Sequence, residues 1–485
     1  MPKTTNGKSW AGTISVFAVG ALIGAISAVQ LVPQGSGSAA GVPADDPGIE
    51  TYDGQETVAD ELVQSQPNAR SRTEGPIQQG GASLACAPGQ NGGATDTGVT
   101  ADTIKLATTT VQSGIGAAFL GDVKYAMEAV KNKVNREGGI CGRLLDVTYV
   151  DDGWDAARGA TYLQNFMKGD YFAIAVGPSS EGLRVVIDNG DIGRAGMPVV
   201  GTDGMIINQY TDPWVWPVSV ATASSARIMA RNAHERGARE FSIVFDKDYR
   251  FGAEAAEAYN NEVRRLTGSN VKGFNKDHNC VQSFCGILAG QSGYATQVNQ
   301  FERADFVAMF LEPQTALTWM STPGAPQPRT TDYGIGGAQP LFTRDFANSC
   351  QAACNGMWIW TGYRPPIESY ANEPAVRTFV NDLKSTKRDA DEFNAFAMGG
   401  YVGMHLLVEA LKRTGPLLTR ERLQATLDSM SLQPDLTIQK QLTWSASNHF
   451  ANYTMRAFSI QYKGTLGGWR AQDTEKDPTP QRGIS

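Results

Sequence analysis

From Val99 onward the chain alternates short apolar runs with amphipathic stretches, and this alternation restricts the fold more than any single residue does. Thr103 to Thr108 (TIKLAT) reads as a strand. Val123, Met127, Val130 and Val134 follow at spacings of 4, 3 and 4, the stripe of an amphipathic helix. Glu137-Gly138-Gly139 then supplies a stop. Leu144 to Val150 is the next strand, followed by a helix from about Asp155 to Met167. Phe172 to Val176 and Met197 to Val200 are short buried strands. The grammar restarts at Phe241 to Phe245, with Ala256, Tyr259, Val263 and Leu266 as a helical stripe and Phe306 to Phe310 as a further strand. Strands alternating with helices imply parallel sheets covered on both faces, so the fold class is α/β with two Rossmann-like lobes. Ligands of such sheets bind beyond the carboxyl ends of the strands, which directs attention to the loops there.

The N-terminal part obeys a different rule. No formal charge occurs from Trp10 to Val32, while Lys3 and Lys8 precede that stretch and Asp45, Asp46 and Glu50 follow it. At about 1.5 Å per residue it reaches roughly 34 Å, enough to cross a hydrocarbon core of about 30 Å. The flanking charges predict a cytoplasmic N-terminus over 1–9, a transmembrane signal anchor over 10–32 and export of everything beyond. No A-x-A site follows immediately and no cysteine there offers a lipid site, so tethering to the outer membrane face is expected, or secretion if the helix is cleaved. Residues 33–98 are rich in Gly, Ser, Ala, Pro and Gln and bury too little to order themselves, which predicts a flexible linker. Residues 99–470 form the folded domain and 471–485 a tail.

Six cysteines agree with an oxidising compartment: Cys86, Cys141, Cys280, Cys285, Cys350 and Cys354. The short spacings suggest local loops joining Cys280 with Cys285 and Cys350 with Cys354, leaving Cys86 with Cys141, although sequence leaves all pairings open. A zinc site is the rival, without a CxxC to support it. The 4 histidines have no HxH or HExxH spacing, so neither metal nor other cofactor is expected. A formal charge of −7 argues against nucleic acid as partner. Catalytic signatures are missing too, with no GxxxxGK[ST], GxGxxG after a strand, or GxSxG. Asp151 and Asp152 follow a strand, but neighbours on an extended end point to opposite sides. The expectation is a protein that binds and does not catalyse.

The run TGVTADTIKLATTTVQSGIGAAFLGDVKYAMEAVKNKVNREGGICGRLLDVTYVDDGWD (97–155) resembles the opening of the branched-chain amino-acid-type (leucine-binding-protein-like) periplasmic solute-binding proteins of ABC transporters. The resemblance continues through FSIVFDKDYRFGAEAAEAYNNEV, GMWIWTGYRPP and AFAMGGYVGMHLLVEALKRTGPLLTRERLQATL, and covers nearly all of 99–470. It implies a type I periplasmic binding fold with three hinge crossovers, lobe 1 comprising about 100–217 and 366–440 and lobe 2 about 218–362 and 446–470. It also implies a monomer that closes on a small molecule, an amino acid or a related amide or small acid, and delivers it to ABC permease subunits. A ligand-sensing ectodomain that signals through a partner is the alternative.

Carried onto this chain, the first-lobe ligand loops hold Gln112, Ser113 and Gly114, then Ser179 and Ser180, then Thr202, Asp203, Gly204 and Met205, with Phe119 above the ligand. Ser179 and Ser180 serve equally well as helix caps, and Trp154 as lobe packing. In the second lobe Tyr249 and Phe251 occupy a loop where relatives place a tyrosine before glycine. The position that holds an acid for a ligand ammonium in relatives falls on Gln339, and Glu312 is the candidate substitute.

Overall fold

The computed structural model describes residues 86, 90–246, 249–272, 298, 304–326, 334–367 and 370–462, and the backbone of 466–471. The expected anchor over 10–32, the 33–98 linker apart from residues 86 and 90–98, Cys280 and Cys285 lie outside them. Among the described residues no helix is long and apolar enough to cross a membrane.

The first sheet has the order β2-β1-β3-β4-β5 and is parallel throughout, with β1 Thr103–Thr110, β2 Leu144–Asp151, β3 Ala173–Ala175, β4 Val199–Thr202 and β5 Val215–Pro217. β1 lies inside the sheet, and both of its faces need cover. Ile104 and Leu106 join the layer that holds α1 (Val123–Arg136), while Ala107 joins the layer of α2 (Ala156–Lys168) and α3 (Ser180–Asp188). Full burial of a side chain such as Leu106 stabilises the fold by about 1.5–3 kcal/mol. All four residues of the predicted α1 stripe are buried, and its chain reverses where Gly139 donates back to the Val134 carbonyl at 2.9 Å.

The second sheet has the order β13-β12-β9-β8-β7-β6. Its parallel part is β6 (Phe241–Phe245), β7 (Phe306–Phe310), β8 (Ile335–Gly337) and β9 (Trp358–Thr361), with β12 (Arg456–Tyr462) and β13 (Leu466–Ala471) added antiparallel. Against it lie α4 (Thr222–Glu235) and α5 (Arg250–Thr267), and α6 (Pro313–Ser321) follows β7. After β9 the chain returns to the first sheet as α7 (Pro374–Thr386), α8 (Ala395–Thr414) and α9 (Arg420–Leu427), with α8 packed on α1 and β4. A small antiparallel ribbon, β10 (Ser431–Leu432) with β11 (Leu442–Thr443), precedes the last passage to β12.

The chain therefore passes between the two sheets after β5, after β9 and before β12, and the passages are bound to one another. Trp444 donates its indole N–H to the Pro217 carbonyl at 3.0 Å and Asn452 its amide to Val218 at 3.0 Å. Ser219 and Tyr363 share a hydroxyl–hydroxyl hydrogen bond of 2.6 Å, and the Ile438 N–H reaches the Gly362 carbonyl at 2.8 Å. Parallel α/β layers with this connectivity are the type I periplasmic binding architecture implied by the resemblance. Cys86 and Cys141 stand 5.1 Å apart at Cα and Cys350 and Cys354 5.5 Å, both within disulfide reach.

The sequence reading contains no strand at β5, β8 or β9: β5 is Val-Trp-Pro and β8 Ile-Gly-Gly, where proline and glycine interrupt the apolar run, and β9 is only four residues long. β4 starts at Val199 rather than Met197 and runs to Thr202, since Thr202 still pairs with Pro217 of β5.

Candidate functional site: a cavity between the strand ends of two sheets

At the carboxyl end of β2, Asp151 organises the loop after β1. Its Oδ1 accepts from the N–H of Gln112 at 2.8 Å and of Gly153 at 3.1 Å. Burial pushes its carboxyl up, but hydrogen bonds from Ser113, Gln112 and Gly153 outweigh that and hold it below the ordinary range. Gln112 turns its side chain inward to the Gly121 carbonyl at 2.8 Å, and Ser113 is exposed. Gly114 has φ 73°, and a Cβ there would stand 2.6 Å from the Gly153 carbonyl oxygen, so only glycine fits. Asp152 faces the other way, buried, and its carboxyl is raised by burial against opposing contacts from Ser179, Trp154 and Thr109. The two acids thus diverge.

Trp154 follows with φ 62°, a left-handed conformation that a bulky residue adopts only under constraint. Its N–H is held by Asp152 Oδ1 at 2.9 Å and its indole N–H by Ser180 Oγ at 3.2 Å. So fixed, the indole stacks on Tyr249 with centroids 4.2 Å apart and meets Phe119 edge-on at 5.1 Å. Phe251 is fully buried 6.0 Å from the same indole. Phe119, Ser180, Tyr249 and Phe251 are therefore parts of one aromatic bridge that joins the first sheet's loops to α5. Phe119 has no exposed surface and packs on Phe396 at 5.5 Å. Ser179 occupies the N-cap position of α3, and neither it nor Ser180 caps the helix through its side chain.

The loop after β4 carries the most unusual electrostatics. Asp203 is only 6% exposed, and its Oδ1 accepts from the Gln209 side-chain amide at 2.8 Å and from the Met205 N–H at 3.2 Å. Its Oδ2 has no partner. Burial, with a smaller contribution from Glu181, pushes this carboxyl up to about 7 against those two hydrogen bonds. Gly204 has φ 64°, and a Cβ on it would reach within 2.1 Å of the Tyr210 hydroxyl, so the turn that presents Asp203 requires glycine. Thr202, also buried, has an unpartnered hydroxyl.

Asp203 and Met205 line a cavity together with Phe396, with Ala338, Gln339 and Pro340 just beyond β8, with Val220, Thr222 and Ser225 before and in the first turn of α4, and with Met455 before β12. About 270 Å³ of empty space lies within the cavity, a figure that includes its open mouth. Of the residues singled out from sequence, Asp203, Met205 and Gln339 meet here. Gln339 Oε1 accepts from the Thr361 hydroxyl at 3.2 Å and the Gly362 N–H at 3.4 Å, which anchors it to the hinge. Phe396 is set by Asn394, whose side chain caps α8 through the N–H groups of Phe396 and Ala397 and donates to the Phe119 carbonyl at 3.0 Å.

Glu312, the candidate ammonium partner, is engaged by its own helix. Fully buried, it caps α6, its carboxylate accepting from Thr315 N–H at 2.5 Å and Gln314 N–H at 2.7 Å. The signal was present as Glu-Pro opening a helix, with proline at the first position. Sequence reasoning missed Thr222, Ser225, Phe396 and Met455, because nothing local distinguishes them from core positions. It also missed a cross-sheet ion pair. Arg250 of α5 reaches Asp188 of α3 at 2.8 Å and Glu254 at 2.7 Å, while Glu254 accepts from the Ile207 N–H at 2.8 Å.

The sequence profile of the family described as periplasmic binding protein matches residues 103–465, well over half of the chain. The chain belongs to the periplasmic binding protein family. Among curated proteins no sequence matches it. Several solved structures share the fold of this binding protein. The fatty acid ABC transporter substrate-binding protein from Thermomonospora curvata is 17% identical with a TM-score of 0.61, covering 82% of this chain and 100% of that one. The branched-chain amino acid transporter substrate-binding protein from Streptococcus pneumoniae, in complex with isoleucine, is 14% identical with a TM-score of 0.60, covering 76% and 99%. An ABC-transporter solute-binding protein from R. palustris, in complex with benzoate, is 17% identical with a TM-score of 0.59, covering 78% and 100%. Family membership makes the chain a ligand-binding protein of an extracytoplasmic family.

Proposed function

We propose that this protein is the extracytoplasmic solute-binding component of an ABC importer. It captures a small molecule between its lobes, an amino acid or a related amide or small acid, and delivers it to permease subunits. The observation that carries this reading is the cavity at the carboxyl ends of β4 and β8, which Asp203 and Gln339 line within an otherwise largely apolar wall. The passages at Ser219, Tyr363 and Asn452 supply the hinge about which two lobes, about 100–217 with 366–440 and about 218–362 with 446–470, close. Fold relatives in complex with isoleucine and benzoate support a small organic cargo. The uncharged stretch over 10–32 tethers the monomeric receptor to the membrane, and the 33–98 linker lets it reach its permease.

Thermal unfolding of the full-length protein against a library of amino acids, amides, amines, small acids and aromatics tests this. A ligand at 100 times its dissociation constant adds about 2.7 kcal/mol of stability. A melting point raised by several degrees with one chemical class establishes a solute receptor. A flat response across the library removes the import reading.

A further inference from the structure

The cavity's chemistry selects a head group. Of Asp203's two carboxylate oxygens, Oδ1 is held by Gln209 and Met205 while Oδ2, buried and without a partner, belongs to a residue on the cavity wall. Ser225, another lining residue, also has a buried hydroxyl without a partner. Among the described residues that line the cavity there is no lysine, arginine or histidine, and Met205, Phe396 and Met455 give it an apolar body. The titratable groups that face Asp203 are Glu181 of α3, Tyr210 after β4 and Tyr363 beyond β9. None of these is a cation.

A buried carboxylate with an open lone pair and no cation beside it is costly unless it is protonated or given a positive partner. We propose that the cavity takes a small solute with an apolar body and a cationic amine head, paired to Asp203 through Oδ2 with Ser225 as a second acceptor. This rests on the solute-binding reading above and assigns its cargo a head group. A carboxylate head would place like charges together, and no described cation is there to offset them. It fits only if Asp203 holds a proton.

The two alternatives respond to pH with opposite signs. An amine cation binds the ionised Asp203, so its affinity rises with pH through about 7, where this carboxyl titrates. Between about pH 6 and about pH 8 the gain is about tenfold. A carboxylate that needs protonated Asp203 loses affinity over the same range.

The experiment is calorimetric titration of the full-length protein with small primary amines, isobutylamine and benzylamine among them, and with carboxylates and amides on the same carbon frames. The expected result is binding of amines in preference to both other series, about tenfold tighter at the higher pH. Asp203→Asn, nearly isosteric, is expected to lower amine affinity at least tenfold and to abolish the pH slope. The wild-type comparison needs no variant, so a misfolded Asp203→Asn would not rescue the proposal. Carboxylates bound more tightly than amines, or amides bound equally with no pH slope, overturn the amine head and leave the solute receptor standing. Binding of no solute in any series, here or in the thermal library, overturns both.

Discussion

Asp203 and Glu312 are both buried acids, yet the chain uses them in opposite ways. Glu312 gives its carboxylate to two backbone N–H groups of its own helix, whereas Asp203 keeps one oxygen open. Glu312→Ala therefore removes an N-cap and should destabilise the protein by about 0.5–2 kcal/mol in chemical denaturation. Ligand affinity should stay within twofold of wild type. A large affinity loss without a stability change would return Glu312 to the ligand. For Asp203 the prediction concerns pH. Its folded carboxyl is raised from 3.8 to about 7, so between those values the native state binds more protons than the unfolded one. This contribution to stability is fully present below about pH 4 and is lost as pH rises through about 7. The denaturation midpoint of Asp203→Asn should lack that component of the decline.

At the scale of elements, Trp154 and Arg250 link the loops of the first sheet to α5. The indole is wedged between Phe119 and Tyr249, so Trp154→Ala leaves a hole in a fully packed site. The expected cost is about 3–5 kcal/mol. Arg250 is different, because it and Asp188 are about a third and nearly half exposed, and such a pair contributes only about 0–1 kcal/mol. Arg250→Ala also strips the largely buried Glu254 of its cation, so it should lower the unliganded melting point as well as weaken ligand affinity several-fold, since it lies across the closing seam. Equal affinity in Arg250→Ala and wild type would show that the pair plays no part in closure. The strands that carry these loops differ in legibility. β6 and β7 match their apolar runs residue for residue, but β8 is Ile335–Gly337, too short and glycine-rich to announce itself. Its neighbours β7 and β9 define it as a strand by lending it a ladder.

For the whole molecule the passages between the sheets decide function. Ser219 and Tyr363 come from passages 144 residues apart in sequence, and their hydroxyls meet in a buried bond. Tyr363→Phe should cost about 1 kcal/mol and loosen the hinge. Small-angle scattering should then report a larger radius of gyration without ligand, and an unchanged radius would locate the hinge's stiffness elsewhere. By itself the sequence determined the α/β class, the position of most of the first-sheet strands and the loops worth inspecting. Those properties follow from periodicity and glycine placement, which act over a few residues. Only the tertiary structure decided which of the flagged side chains converge. It brought Asp203, Met205 and Gln339 to one cavity, added Ser225, Phe396 and Met455 to them, and gave Glu312 to its own helix. A buried charge owes its role to whether partners reach it, and those partners come from chain segments far apart in sequence.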